Sequence, residues 1–143
     1  MRAYERFLEY AKYPTASDEE SASCPSTKKQ LALAKLLTEE LLELGLSDAE
    51  TDENGYVYAS LPQNCEGDID KIAFIAHMDT SPEAPDENIK LSVTEYGGGD
   101  ILLNKEKNIF LKASEYPYLS DYEGHHIIHS DGTTLIGADD KAG

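Results

Sequence analysis

The chain has 143 residues, 40% hydrophobic and 28% charged, ordinary values for a globular protein with a real core. Twelve basic residues against 28 acidic ones leave a formal charge of −16. That charge repels nucleic acid and anionic membranes, and no basic patch offsets it, so neither is an expected partner. The acidity itself reads as a solvated surface.

Residues 2–12 carry Tyr4, Phe7, Leu8 and Ala11 at helical spacing, which predicts a short amphipathic helix ended by Pro14. The segment MRAYERFLEYAKYP has no uninterrupted apolar stretch and is not a signal peptide. No run approaches the roughly 18 apolar residues of a membrane helix. Cys24 and Cys65 lack further Cys or His at zinc-finger spacing. Scattered thiols suit a reducing compartment, with one disulfide left open, and the expected location is the cytoplasm.

Thr15 to Ser23 is polar and acidic and reads as a loop. Pro25-Ser26-Thr27 opens a second helix, with Thr27 and Gln30 matching a capping box. Leu33, Leu37, Leu41 and Leu44 form its apolar stripe, widened by Ala34, and Gly45 follows as the C′ residue. Strands are expected at 48–52 and 56–61 around the turn Glu53-Asn54-Gly55. Pro62 closes the second, and Gln63 to Asp70 is an acidic loop.

The run Ile72-Ala73-Phe74-Ile75-Ala76 is nearly all apolar, the pattern of a strand buried on both faces. His77-Met78-Asp79-Thr80 follows at its end. Polar residues at the carboxyl end of a buried strand sit where α/β sheets place their sites. His77 and Asp79 share one face of an extended backbone, which suits a metal-ligating imidazole held by a carboxylate.

Thr80 to Asn88 reads as a loop over that site. Ile89 to Tyr96 is an expected strand, broken by Gly97-Gly98-Gly99. These glycines are no phosphate loop, because Asp100 follows and no GKS/T ending is present. Short strands are expected at Ile101 to Leu103 and Ile109 to Leu111, and a Tyr-rich loop at Tyr116 to Glu123. Two more strands, 126–129 and 133–138, are joined by Ser130-Asp131-Gly132-Thr133. His125, His126 and His129 cluster, but 126 and 129 point to opposite faces of a strand, so they read as ordinary histidines. The second strand runs into Gly137-Ala138-Asp139-Asp140-Lys141-Ala142-Gly143. Its carboxylates could supply hard oxygen ligands to the same ion as His77. The whole reads as one domain without repeats or linkers.

HMDTSPEAP and SDGTTLIGADDKAG, with FLEY, PSTKKQ and NGYVYASLP, resemble the peptidase T family. That family of aminotripeptidases belongs to the di-zinc exopeptidases, beside acylases and succinyl-diaminopimelate desuccinylase. The resemblance runs along almost the whole chain. It implies the N-terminal part of an α/β/α catalytic domain with a mixed, largely parallel sheet. It implies that His77 and Asp139 bind zinc, Asp139 as the bridge between two zincs, while Asp79 orients His77 and counts with the catalytic residues. A water activated by the metals would attack the scissile bond of a tripeptide. The peptide bond after Asp139 would be cis, at a cost of about 3–4 kcal/mol. The general-base Glu, further ligands and an inserted dimerisation domain would lie beyond Gly143. The 143 residues then read as a piece, inactive alone, of a protein that dimerises. A related amidohydrolase of the acylase type, or a non-catalytic binding fragment, is the alternative.

Overall fold

In a computed structural model, residues 1–135 are described. The helix α1 spans Ala3–Tyr10, and α2 spans Gln30–Glu43. Between them, the segment expected to be a plain loop does structural work. Thr15 and Ala16 are buried, and Ala16 forms a parallel bridge to Thr80. Among the described residues this bridge is the one parallel pairing, and each of the three sheets is a two-stranded antiparallel pair.

The two helices are joined through a polar cluster at Glu40. Arg6 Nε and the Tyr10 hydroxyl both donate to the Glu40 carboxylate. Burial works against the Glu40 charge, but these donors outweigh it and hold the carboxyl below its ordinary range. Burial, then the hydrogen bond to Glu40, raises the Tyr10 phenol. A carboxylate lowered in the folded state contributes stability above its unfolded pKa, and that contribution is lost as pH falls through the folded value. Glu40→Ala should therefore cost about 1–2 kcal/mol near neutrality, the low end reflecting solvent screening of the pair. The loss should shrink in acid. Chemical denaturation at pH 7 and pH 3 checks this, and an equal cost at both values would exclude the charge as its origin.

The start of α2 differs from expectation. There is no capping box: Lys29 occupies the N-cap with helical dihedrals and no side-chain cap. Thr27 Oγ1 instead donates to the Ala16 carbonyl (2.8 Å), and Gln30 Nε2 reaches Ser26 Oγ (3.3 Å). The long-range partner at Ala16 took the hydroxyl that the local motif would have used. Along the stripe, Leu33 and Ala34 are buried, Leu37 and Leu41 are half-buried, and Leu44 is exposed. The helix ends as expected. Gly45 has φ +93°, its N–H donates to Leu42 O (3.0 Å), and the Leu46 N–H donates to Leu41 O (3.1 Å). That is a Schellman closure, which needs the left-handed residue glycine allows.

The hairpin β1 (Glu50–Thr51) and β2 (Val57–Tyr58) lies where expected, though shorter. Asp52 Oδ1 accepts from the Asn54 and Tyr56 amides, each at 2.9 Å, and fixes its turn. Thr38 Oγ1 contacts Thr51 Oγ1 at 2.6 Å and ties α2 to β1.

The largest departure concerns residues 72–76. They form no strand, and Ile72 is 80% exposed while Phe74 and Ile75 are each 95% exposed. An apolar run becomes a buried strand only when other strands and helices cover it. Among the described residues nothing pairs with this one.

Beyond the loop 80–90, β3 (Leu91–Glu95) pairs antiparallel with β6 (His126–Ser130), in the register Val93 to Ile128. β4 (Ile101–Asn104) and β5 (Ile109–Leu111) form the expected hairpin. The Tyr-rich stretch is a 3₁₀ helix, Pro117–Tyr122, rather than a loop. It buries Leu119 against Tyr96 and Ile101, with Leu103, Leu111 and Ile127 around them. Gly132 closes this unit. A Cβ there would lie 2.7 Å from Ile109 Cγ2, and its φ is +74°. Residues 133–135 are not strand, and the remainder of the expected strand 133–138 lies outside the described residues. Both cysteines are free and exposed. Among the described residues, no helix is long and apolar enough to cross a membrane.

Candidate active site

The His77–Asp79 pair forms as its spacing predicts. His77 Nδ1 lies 3.1 Å from Asp79 Oδ1, with both side chains partly open to solvent. An ionised carboxylate only accepts hydrogen bonds, so Nδ1 carries the proton in this contact. Such a contact favours the tautomer with its proton on Nδ1.

What holds the pair in place is the next residue. The Thr80 N–H donates to the Thr15 carbonyl (3.2 Å), and the Ser17 N–H donates to the Thr80 carbonyl (3.0 Å). Ser17 Oγ also donates to that carbonyl (3.2 Å). Thr80 is buried, and its Oγ1 has no partner among the described residues. The backbone after Asp79 is thus clamped to the buried segment after α1.

A second anchor, at Asp86, is invisible to sequence reasoning. Its carboxylate accepts the Ala16 N–H (2.7 Å) and Lys29 Nζ (2.9 Å at Oδ1, 2.8 Å at Oδ2). Asp86 is only 6% exposed. Burial pushes its carboxyl up, yet the bonds from Lys29 and Ala16 prevail and it titrates below its ordinary range. Nothing near Asp86 in the chain marks it, because its partners lie 57 and 70 positions away.

Asp139, the other expected metal ligand, lies outside the described residues, as do Asp140 and Lys141. The approach to them is visible. The Leu135 N–H donates to Pro85 O (3.3 Å), and Ser130 Oγ donates to Thr134 O (3.0 Å). The segment leading into GADDKAG therefore rests on the same loop that follows the His77–Asp79 pair. Among the described residues, no group of three or more His, Cys, Asp or Glu could hold a metal.

The other histidines stay out of the site. His129 Nδ1 contacts its neighbour's carbonyl, Ser130 O (2.8 Å), and its Nε2 contacts Thr94 Oγ1 (2.9 Å). His125 packs edge-on against Tyr122. They are strand and packing residues, in line with the sequence reading.

The fold and the pair together define an α/β protein with a histidine–aspartate contact at the start of an anchored loop. No family model matches the chain. Individual proteins do. Over 143 residues it is 55% identical to "Peptidase T" of Caldanaerobacter subterraneus subsp. tengcongensis, covering 99% of this chain and 35% of that protein. "Peptidase T" of Alkaliphilus oremlandii is 56% identical over 142 residues, covering 97% of this chain and 35% of that protein. For "Peptidase T" of Geobacillus kaustophilus the identity is 51% over 140 residues, with 97% and 34% covered. The chain is a relative of peptidase T, and it spans about a third of the length of the curated relatives it matches.

Proposed function

We propose that this chain is part of the catalytic domain of a zinc-dependent peptidase that removes the N-terminal residue from tripeptides. The single observation that carries the reading is the oriented His77–Asp79 pair, in a chain similar to peptidase T along nearly all of its length. The substrate would be a small peptide, the compartment the cytoplasm, and the complete protein a homodimer. Residues 72–76 would be a strand of a mixed, largely parallel sheet once covered by further chain.

The donor chemistry fits zinc. An imidazole nitrogen and carboxylate oxygens are its common ligands, and a histidine whose other nitrogen meets a carboxylate is their usual presentation. His77 would bind through Nε2, because Nδ1 is engaged by Asp79. Asp139 would bridge two zincs. When bound, the metal pair supplies Lewis-acid activation of the attacking water and of the scissile carbonyl. Asp79 would stay off the metal. It holds the Nδ1 proton and the ring plane, and it makes the imidazole a better donor. The general base would come from residues outside this chain.

A full-length protein carrying this sequence should hydrolyse unblocked tripeptides, lose activity to a chelator and regain it with zinc. Zinc-loaded protein that spares tripeptides but cleaves N-acyl amino acids would move the reading to an acylase. Inertness toward both would favour a non-catalytic binding role.

A further inference from the structure

We propose that Asp86 is a positioning residue that sets where the chain at Leu135, four residues before Asp139, is attached relative to the His77–Asp79 pair. The proposal rests on reading those two motifs as parts of one site. Its own observations are three attachments that meet on one loop.

At one end of the loop, Thr80 is bridged to Thr15 and Ser17 through its backbone. At the other end, the Asp86 carboxylate takes the Ala16 N–H and the Lys29 ammonium. Both ends therefore close on the same three consecutive residues, Thr15 to Ser17. Between the ends and directly before Asp86, Pro85 O accepts the Leu135 N–H. Moving Asp86 moves Pro85, and with Pro85 goes the attachment of the chain four residues before Asp139.

The chemistry chosen for this anchor argues for register rather than bulk stability. Burying an ion pair costs desolvation of both charges, and a well-packed apolar pair of the same volume is often as stable. What this carboxylate adds is two defined long-range attachments, to one backbone amide and to one ammonium. Lys29 is suited to the task because it sits at the N-cap of α2, a fixed point of the fold. Ala16 is buried and itself part of the bridge to Thr80. The carboxylate thus ties the loop both to the start of α2 and to the segment that bridges Thr80.

The test uses the full-length protein with Asp86→Ala, Asp86→Asn and Lys29→Met. Amide hydrogen exchange is read at Leu135, with Val93 and Thr94 in the β3–β6 pair as internal controls. Asp86→Ala should speed exchange at Leu135 about tenfold or more and leave the controls within about twofold. Zinc affinity should fall about 10–100-fold, and kcat should fall with little change in KM. Asp86→Asn keeps an acceptor for Ala16 and should recover part of each effect. Lys29→Met should shift Leu135 in the same direction by less, and it serves if Asp86→Ala does not fold. Unchanged exchange at Leu135 in a folded Asp86 or Lys29 variant overturns the proposal, as does a uniform rise that includes the controls. A wild-type protein that neither binds zinc nor cleaves peptides would instead sink the functional reading, and the exchange comparison would still decide the role of Asp86.

Discussion

His77→Ala in a full-length protein carrying this sequence is expected to abolish peptide hydrolysis and remove one of two bound zincs. Asp79→Asn is expected to keep most of the metal and lose about 10–100-fold in turnover. The two differ because they fail differently. Without His77 a donor atom is gone. With asparagine at 79 the ring keeps its place, but an amide can either donate to Nδ1 or accept from it, so the tautomer is no longer enforced. The present geometry, Nδ1 to Oδ1 at 3.1 Å, is the contact that the carboxylate selects. Metal analysis beside kinetics separates the roles. Asp79→Asn protein as empty of metal as His77→Ala would make Asp79 a direct ligand.

The 143-residue chain on its own is expected to self-associate, to bind zinc weakly and to lack peptidase activity. The apolar run supplies the first expectation. Phe74 and Ile75 are each 95% exposed, and among the described residues no strand pairs with their backbone. A flat, apolar, unpaired segment is a template for pairing with another copy. The net charge of −16 opposes association at low salt and is screened as salt rises. The effect should therefore be larger at high ionic strength. Placing charge in the run, as in Phe74→Lys with Ile75→Glu, should restore a monomer. Ligand count supplies the other expectations. A zinc site takes at least about three protein ligands, and the proposed reading assigns this chain two, His77 and Asp139. Light scattering across a salt series, with zinc titration and a tripeptide assay, checks all three. A monodisperse monomer at high salt, or tight zinc binding with turnover, would refute the corresponding expectation.

Much of the local structure is legible in the sequence alone. The periodicity of residues 2–12 marks α1, and Leu33 with Ala34 marks the buried face of α2. Gly45 marks where that helix stops, and Glu53-Asn54-Gly55 marks the hairpin turn. β3, β4 and β5 lie within a few residues of their predicted places. The His77–Asp79 contact follows from a spacing of two on an extended backbone. These features depend on dihedral preference and on neighbours within about one turn, which a linear sequence displays.

Other features answer to partners far along the chain. Thr27 has the residue type and spacing of a cap, but Ala16 O offered its hydroxyl a bond and the capping box does not form. Residues 126–130 pair with β3, a partner more than thirty positions earlier in the chain that no local pattern names. Hydrophobic content predicts that residues 72–76 seek burial, but burial needs cover, and cover belongs to the whole fold. Asp86 is the sharpest case. Its residue type in a polar, proline-containing loop predicts a solvated carboxylate. The tertiary structure brings Ala16 and Lys29 to it, and the two hydrogen bonds they donate offset the cost of its burial. The sequence by itself determined which short elements form and which pair of side chains meets at His77. Only the tertiary structure decided what anchors that pair, because an anchor is made of groups that the chain must first fold to bring together.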